Sequence, residues 1–190
     1  YTLVAMARDE DLRGFGLKQP LPEPVDVTSK IISPSGSGSA RLAAREALTL
    51  CGLPLVPVIL KIYDPELRFE PLAADSDCIP QGGILGKISG HSASMLMAER
   101  VLLNFLQFLS GVASQTHAYV SALGNSPTRI LDTRKTTPGY RMLQKYAVAC
   151  GGGWNHRLGL FDRVMLKDNH LAADSSQSGE ALTELILKAR

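Results

Sequence analysis

This 190-residue sequence predicts an α/β fold, and three observations carry that reading. Up to about residue 94, short apolar segments of strand length are separated by clusters of proline and glycine. From residue 92 to about 123 the pattern changes, and Met95, Leu96, Val101, Leu102, Phe105, Leu106, Leu109 and Val112 recur on the 3.6-residue period of one long helix. Beyond Pro127, Ile130 and Leu131 read as the end of a buried strand, 140–149 as a helix and 164–166 as a second strand. Strands joined through a helix run parallel.

Taken in order, Pro20-Leu21-Pro22-Glu23-Pro24 and the Ser/Gly stretch 33–39 read as turns or linkers. Residues 55–62, 67–71 and 84–88 have strand length and strand residues, whereas 40–50 would be helix by propensity alone. Ser92 or Ser94 can cap the long helix, Gly111 is a candidate break within it, and Gly124, Asn125 and Pro127 end it. After Gly179 the spacing of Ala181, Leu182, Leu185, Ile186 and Ala189 is again helical. Because the chain opens on Tyr1 and closes at Arg190 inside that pattern, the expectation is a piece of a longer protein, an α/β barrel stopped before its later strands. Such a barrel would carry an unpaired edge.

A hydrophobic content of 45% suits a globular protein with a real core. Twenty Lys and Arg against 18 Asp and Glu leave a net charge of +2, too balanced for a bulk binder of nucleic acid or of a membrane surface. Any anion site must therefore come from local clustering. Cys51, Cys78 and Cys150 are far apart and show neither zinc-type nor disulfide spacing, which points to a reducing cytoplasm. Apolar runs such as 53–60, interrupted by Pro54 and Pro57, fall well short of the ~20 residues a membrane helix needs, so no membrane span is expected.

The chemistry concentrates late in the chain. Asp132-Thr133-Arg134-Lys135-Thr136-Thr137-Pro138-Gly139-Tyr140-Arg141 follows the first strand, Gly151-Gly152-Gly153-Trp154-Asn155-His156-Arg157 follows the helix, and Lys167-Asp168-Asn169-His170 follows the second strand. Parallel α/β sheets bind ligands at the carboxyl ends of their strands, so Arg134, Lys135 and Lys167 would face a strongly anionic ligand. Glycines 151 to 153 permit close backbone approach before His156. Trp154 reads as core or pocket wall. Arg141 has two open readings, reaching the pocket or pairing on its own helix. His91, His117 and His170 form no metal set by spacing and read as structural.

These stretches, with Asp26-Val27-Thr28 and with 98–107 followed by Ser110-Gly111, stand in an order that resembles the quinolinate phosphoribosyltransferase family over nearly the whole chain. The resemblance implies an N-terminal α/β sandwich (1–94), a long connecting helix (95–124) and the first part of a C-terminal α/β barrel (125–190), with a strand within 40–50. It implies transfer of a phosphoribosyl group from phosphoribosyl pyrophosphate to quinolinate with decarboxylation, in NAD synthesis, with Mg2+ bound mainly with the phosphoribosyl donor. Arg134 and Arg157 would grip carboxylates in bidentate fashion, and His156 would join them charged when two carboxylates lie beside it. Lys135 and Lys167 would be catalytic, facing phosphate and diphosphate, and Thr133 would add a hydroxyl or backbone contact. Arg100 would enter the neighbouring subunit's site, which implies a homodimer or a higher homo-oligomer. No protein metal ligand is expected, since the family's acidic metal-site residues lie on later strands. Two rivals remain: a sister pyrophosphorylase associated with molybdate transport, and a non-catalytic binding module.

Overall fold

The computed structural model describes residues 1–32, 35–173 and 179–188. They form two compact units, Tyr1–Asn155 and His156–Arg190.

In the first unit, helix α4 (Ser92–Ala122) is the organising element. Its apolar stripe is buried as its period predicts, with Leu102, Phe105, Leu106 and Leu109 almost fully covered. Length and composition would let α4 cross a membrane, but that buried stripe belongs to the core of this unit. Gly111 does not break it: a Cβ there would meet open space, so nothing forces the backbone from its helical bonds. Neither serine caps its start. His91 holds that position, and Ser94 instead donates from Oγ to the Asp64 carboxylate at 2.7 Å, fastening α4 to the residue that ends the preceding helix, 56–63.

Two small antiparallel sheets lie in this unit. Strands β1 (Ser37–Ala43), β5 (Ile84–His91) and β3 (Arg68–Pro71) form one in the order β1-β5-β3, and β2 (Leu48–Thr49) pairs with β4 (Cys78–Ile79) in the other. The strand implied within 40–50 is therefore present, as the end of β1 and as β2. The Ser/Gly stretch read as a turn is corrected at its end, since Ser37 to Ser39 pair in register with His91 to Ser89. Backbone ladder bonds need no apolar side chain, so composition concealed that strand start. Ser33 and Pro34 lie outside the described residues.

Residues 55–62 are not a strand. Leu53–Leu55 form a 3-10 turn that leads into helix α3 (Val56–Tyr63). Pro54 and Pro57 sit in first turns, where a missing N–H costs nothing, and Val56, Ile59 and Leu60 bury one face at i, i+3 and i+4. Burial of that face outweighs the β-preference of the branched residues. Helix α1 (Thr2–Arg13) precedes these elements, burying Val4 and Leu12 and ending on left-handed Gly14. Helix α2 (Val27–Ile32) follows Asp26, whose carboxylate accepts from the Ser29 hydroxyl, which chiefly lowers its pKa, and from the Thr28 N–H.

Helix α5 (Arg141–Cys150) packs on α4 and ends at Gly151. A Cβ on Gly151 would lie 2.4 Å from the Ala113 carbonyl oxygen and 2.6 Å from Thr116 Cβ, both on α4. Gly151→Ala is expected to cost about 1–3 kcal/mol by forcing these helices apart. Gly111→Ala, helical with open space, is expected to stabilise by ~0.5–1 kcal/mol. Urea denaturation of both variants checks the opposite signs.

Ile130 and Leu131 do not end a buried strand. Leu131 makes a single parallel bridge with Trp154 and is 52% exposed. A parallel strand is buried only when neighbours cover both its faces, and among the described residues Leu131 bridges to Trp154 alone. In the second unit, residues 164–166 form no strand, and Val164 is 65% exposed. Strand preference without a pairing partner is too weak to make a strand. This unit holds α6 (Asp168–Ala173) and α7 (Gly179–Lys188), the latter in agreement with its spacing; Ala189 lies outside the described residues.

Candidate active site

The block that follows the Leu131 bridge is anchored by a buried ion pair. Lys145 Nζ on α5 donates to Asp132 Oδ1 at 2.6 Å, with the two side chains 2% and 8% exposed. Asn155 Nδ2 donates both to Asp132 Oδ2 at 2.8 Å and to the Lys145 carbonyl at 2.9 Å. The Asp132 N–H is bonded to the Trp154 carbonyl and the Trp154 N–H to the Ile130 carbonyl. Asp132 thus ties α5, Asn155 and the bridge together at the first residue of the block. Sequence reasoning missed Lys145, because a lysine in an amphipathic helix ordinarily marks the solvated face and the pattern holds no sign of its partner.

Beyond Asp132 the loop is held by its own side chains. Thr133 Oγ1 accepts the Lys135 N–H at 3.0 Å, so the predicted Thr133 hydroxyl shapes the turn carrying the two cations. Thr137 N–H donates to Gln144 Oε1 at 2.8 Å, and Gly139, at φ 79, makes the reversal into α5. Arg141 Nε donates to Thr136 Oγ1 at 3.2 Å; it folds back onto the loop and forms no ion pair with a described residue. Arg134, half-buried, and Lys135, exposed, likewise make no ion pair with any described residue. Two positive charges are therefore fixed at their backbones and left without a protein counter-ion among the described residues.

Arg100 lies elsewhere. It is exposed on α4 and lines a cavity of about 730 Å³ with Glu10 and Asp11 of α1, Asn104 of α4, and Thr137 and Tyr140. Neither Arg134 nor Lys135 lines that cavity. Tyr140 stacks on Phe105 and meets Phe108 edge-on, and its burial raises the phenol pKa. Trp154, read as core or pocket wall, is 52% exposed, with the Arg129 guanidinium 3.7 Å above its ring.

The second unit holds the remaining predicted residues. His156 Nδ1 accepts the Arg157 N–H at 2.7 Å, so the ring's other nitrogen is the one that carries its proton. Arg157 is 5% exposed and donates from Nη1 to the Arg163 carbonyl at 3.1 Å. Lys167 is exposed, with its backbone N–H on His170 Nδ1. The structure therefore brings Thr133, Arg134 and Lys135 together on one loop and His156 and Arg157 together on another. Such groups can neutralise and orient carboxylates and phosphates.

Comparison with known proteins gives the family. The model of the quinolinate phosphoribosyl transferase N-terminal domain matches residues 26–110, and that of the C-terminal domain matches residues 112–188. A probable nicotinate-nucleotide pyrophosphorylase [carboxylating] from Synechocystis is 45% identical over 73% of this chain and 47% of its own length. The mitochondrial quinolinate phosphoribosyltransferase [decarboxylating] 2a of Nicotiana tabacum is 44% identical over 90% of this chain and 46% of its own. Among solved structures, NadC from Streptococcus pyogenes superposes with a TM-score of 0.86 at 39% identity, covering 100% of this chain and 65% of that one. The chain spans about half the length of the curated relatives it matches. By both domains, by sequence and by fold, it belongs to the quinolinate phosphoribosyl transferase family.

Proposed function

We propose that this chain supplies the substrate-gripping part of an enzyme that transfers the phosphoribosyl group of phosphoribosyl pyrophosphate to the ring nitrogen of quinolinate. The products are nicotinate mononucleotide, diphosphate and carbon dioxide, as a step of de novo NAD synthesis. The observation that carries this reading is the pair Arg134 and Lys135, cations without a described counter-ion on a loop fixed to a buried ion pair. The names of the relatives support the substrate, and nothing favours the molybdate-associated sister enzyme.

In this reading Arg134 grips a carboxylate of quinolinate through its planar guanidinium. The ring nitrogen forms its bond to the anomeric carbon as the bond to diphosphate breaks, and Lys135 offsets part of the charge that gathers on the leaving oxygens. The quaternised ring then takes up the electron pair left when the adjacent carboxylate departs as carbon dioxide, and a proton replaces it. The charged side chains of the block are the cations Arg134, Lys135 and Arg141 and one carboxylate, Asp132, which is held by Lys145 and Asn155. They do not make a magnesium site, so Mg2+ enters as part of the phosphoribosyl pyrophosphate complex, where it neutralises diphosphate. Arg100, apart from Arg134 in the cavity it lines, acts in a partner subunit of a homodimer or larger homo-oligomer. The cytoplasm is the proposed compartment, in keeping with the bacterial relatives; plant relatives named chloroplastic or mitochondrial place the same family in organelles.

Calorimetric titration with quinolinate and, separately, with nicotinate tests the reading. Quinolinate is expected to bind and nicotinate, with one carboxylate fewer, to bind at least tenfold more weakly, since each charge-assisted hydrogen bond is worth about 1.5–3 kcal/mol. Equal affinities would remove the dicarboxylate grip.

A further inference from the structure

The cysteines that look unrelated in the sequence meet in the fold. Cys51, just past β2, and Cys150, the last residue of α5, share one apolar cluster with Leu109, Ala113 and Ala147. Asp75 joins them, and one ligand atom from each of Cys51, Cys150 and Asp75 lies within 4.8 Å of the others. We infer that Cys51, Cys150 and Asp75 form a binding site for one thiophilic divalent cation of the zinc class. The inference does not rest on the phosphoribosyl-transfer reading.

Three features argue for it. First, two thiolates and a carboxylate form a ligand set that favours zinc over magnesium or calcium, and bonds of ~2.0–2.3 Å would draw in three atoms already this close. Second, the carboxylate is pre-oriented. The Gly52 N–H lies 3.0 Å from each Asp75 oxygen and the Leu53 N–H donates to Oδ1 at 2.9 Å, so backbone dipoles offset part of the negative charge of the set. Third, there is a way in. Tyr146 donates its hydroxyl to Asp75 Oδ2 at 2.8 Å and is 44% exposed, which marks the side from which an ion enters and a fourth ligand comes. Burial, and after it the neighbouring Cys150 and Asp75, push the Cys51 thiol pKa well up. A thiophilic cation binds the thiolate form of such side chains, so its uptake would release their protons. The bound ion would staple the end of α5, the helix of Lys145, to the segment that joins β2 to α3.

The test is titration of the reduced full chain with Co2+ under anaerobic conditions. A thiolate-to-cobalt charge-transfer band is expected to saturate at a single equivalent and to vanish when Zn2+ is added. Cys78→Ser, which alters only an exposed thiol, is expected to keep the full band. Cys51→Ser and Cys150→Ser are each expected to weaken Co2+ binding at least tenfold. Absence of the band in the folded, reduced wild-type chain overturns the proposal. So does its loss in Cys78→Ser, which would assign the ion to Cys78 and the neighbouring His117, 3.8 Å away.

Discussion

Lys145→Met is expected to lower the free energy of unfolding by roughly 3–5 kcal/mol, the cost of leaving one member of a buried ion pair without the other. Methionine nearly matches lysine in length, so packing around α5 changes little, while the Asp132 side chain, 8% exposed, loses the ammonium that faces its Oδ1. The measurement is the denaturant midpoint at constant slope. A loss below about 1 kcal/mol would mean that water reaches Asp132 and that the pair is no anchor. Replacing both members, as Lys145→Met with Asp132→Leu, is expected to recover a large part of the loss, because the uncompensated charge goes with its partner. Quinolinate affinity should nevertheless stay low in the double variant. Asp132 also places the turn that carries Arg134 and Lys135, and leucine cannot hold Asn155.

Arg134→Ala is expected to weaken quinolinate binding by more than tenfold in calorimetry, with little change in stability, since Arg134 makes no ion pair with a described residue. Arg134→Lys keeps the charge and loses the planar fork, so an intermediate loss should follow. Unchanged affinity in Arg134→Ala would take this residue out of the site. The same variant probes Arg100. In a mixed dimer of Arg100→Ala and Arg134→Ala subunits, donation across the interface puts both defects in one site and leaves the other intact. Near-native affinity at half the stoichiometry is then expected. If Arg100 acts within its own subunit, both sites of the mixed dimer stay impaired.

Much of this was legible beforehand, for reasons that differ by element. Helix α4 could be read because thirty-one residues on one period exceed any accidental pattern, and α5 and α7 followed from shorter runs of the same kind. Residues 55–62 misled because valine and isoleucine favour strands while their spacing served α3 equally well. Over so short a run, only the surface being covered decides. Residues 164–166 and Leu131 misled in the opposite way: strand-forming residues are present, but strands need partners, and the described residues supply one bridge.

The candidate site divides along the same line. Which residues are cationic, and in what order the Thr133 to Lys135 turn, His156-Arg157 and Lys167 occur, is a property of the sequence, because charge and turn chemistry are local. That Lys145 is buried against Asp132, that Arg141 bonds to Thr136, that Arg100 lines a cavity which Arg134 does not line, and that Cys51 meets Cys150 and Asp75 were decided only by tertiary structure. Each depends on groups distant in sequence or on side chains that choose among several partners. Such choices are settled by desolvation and packing, which exist only once the chain has closed on itself.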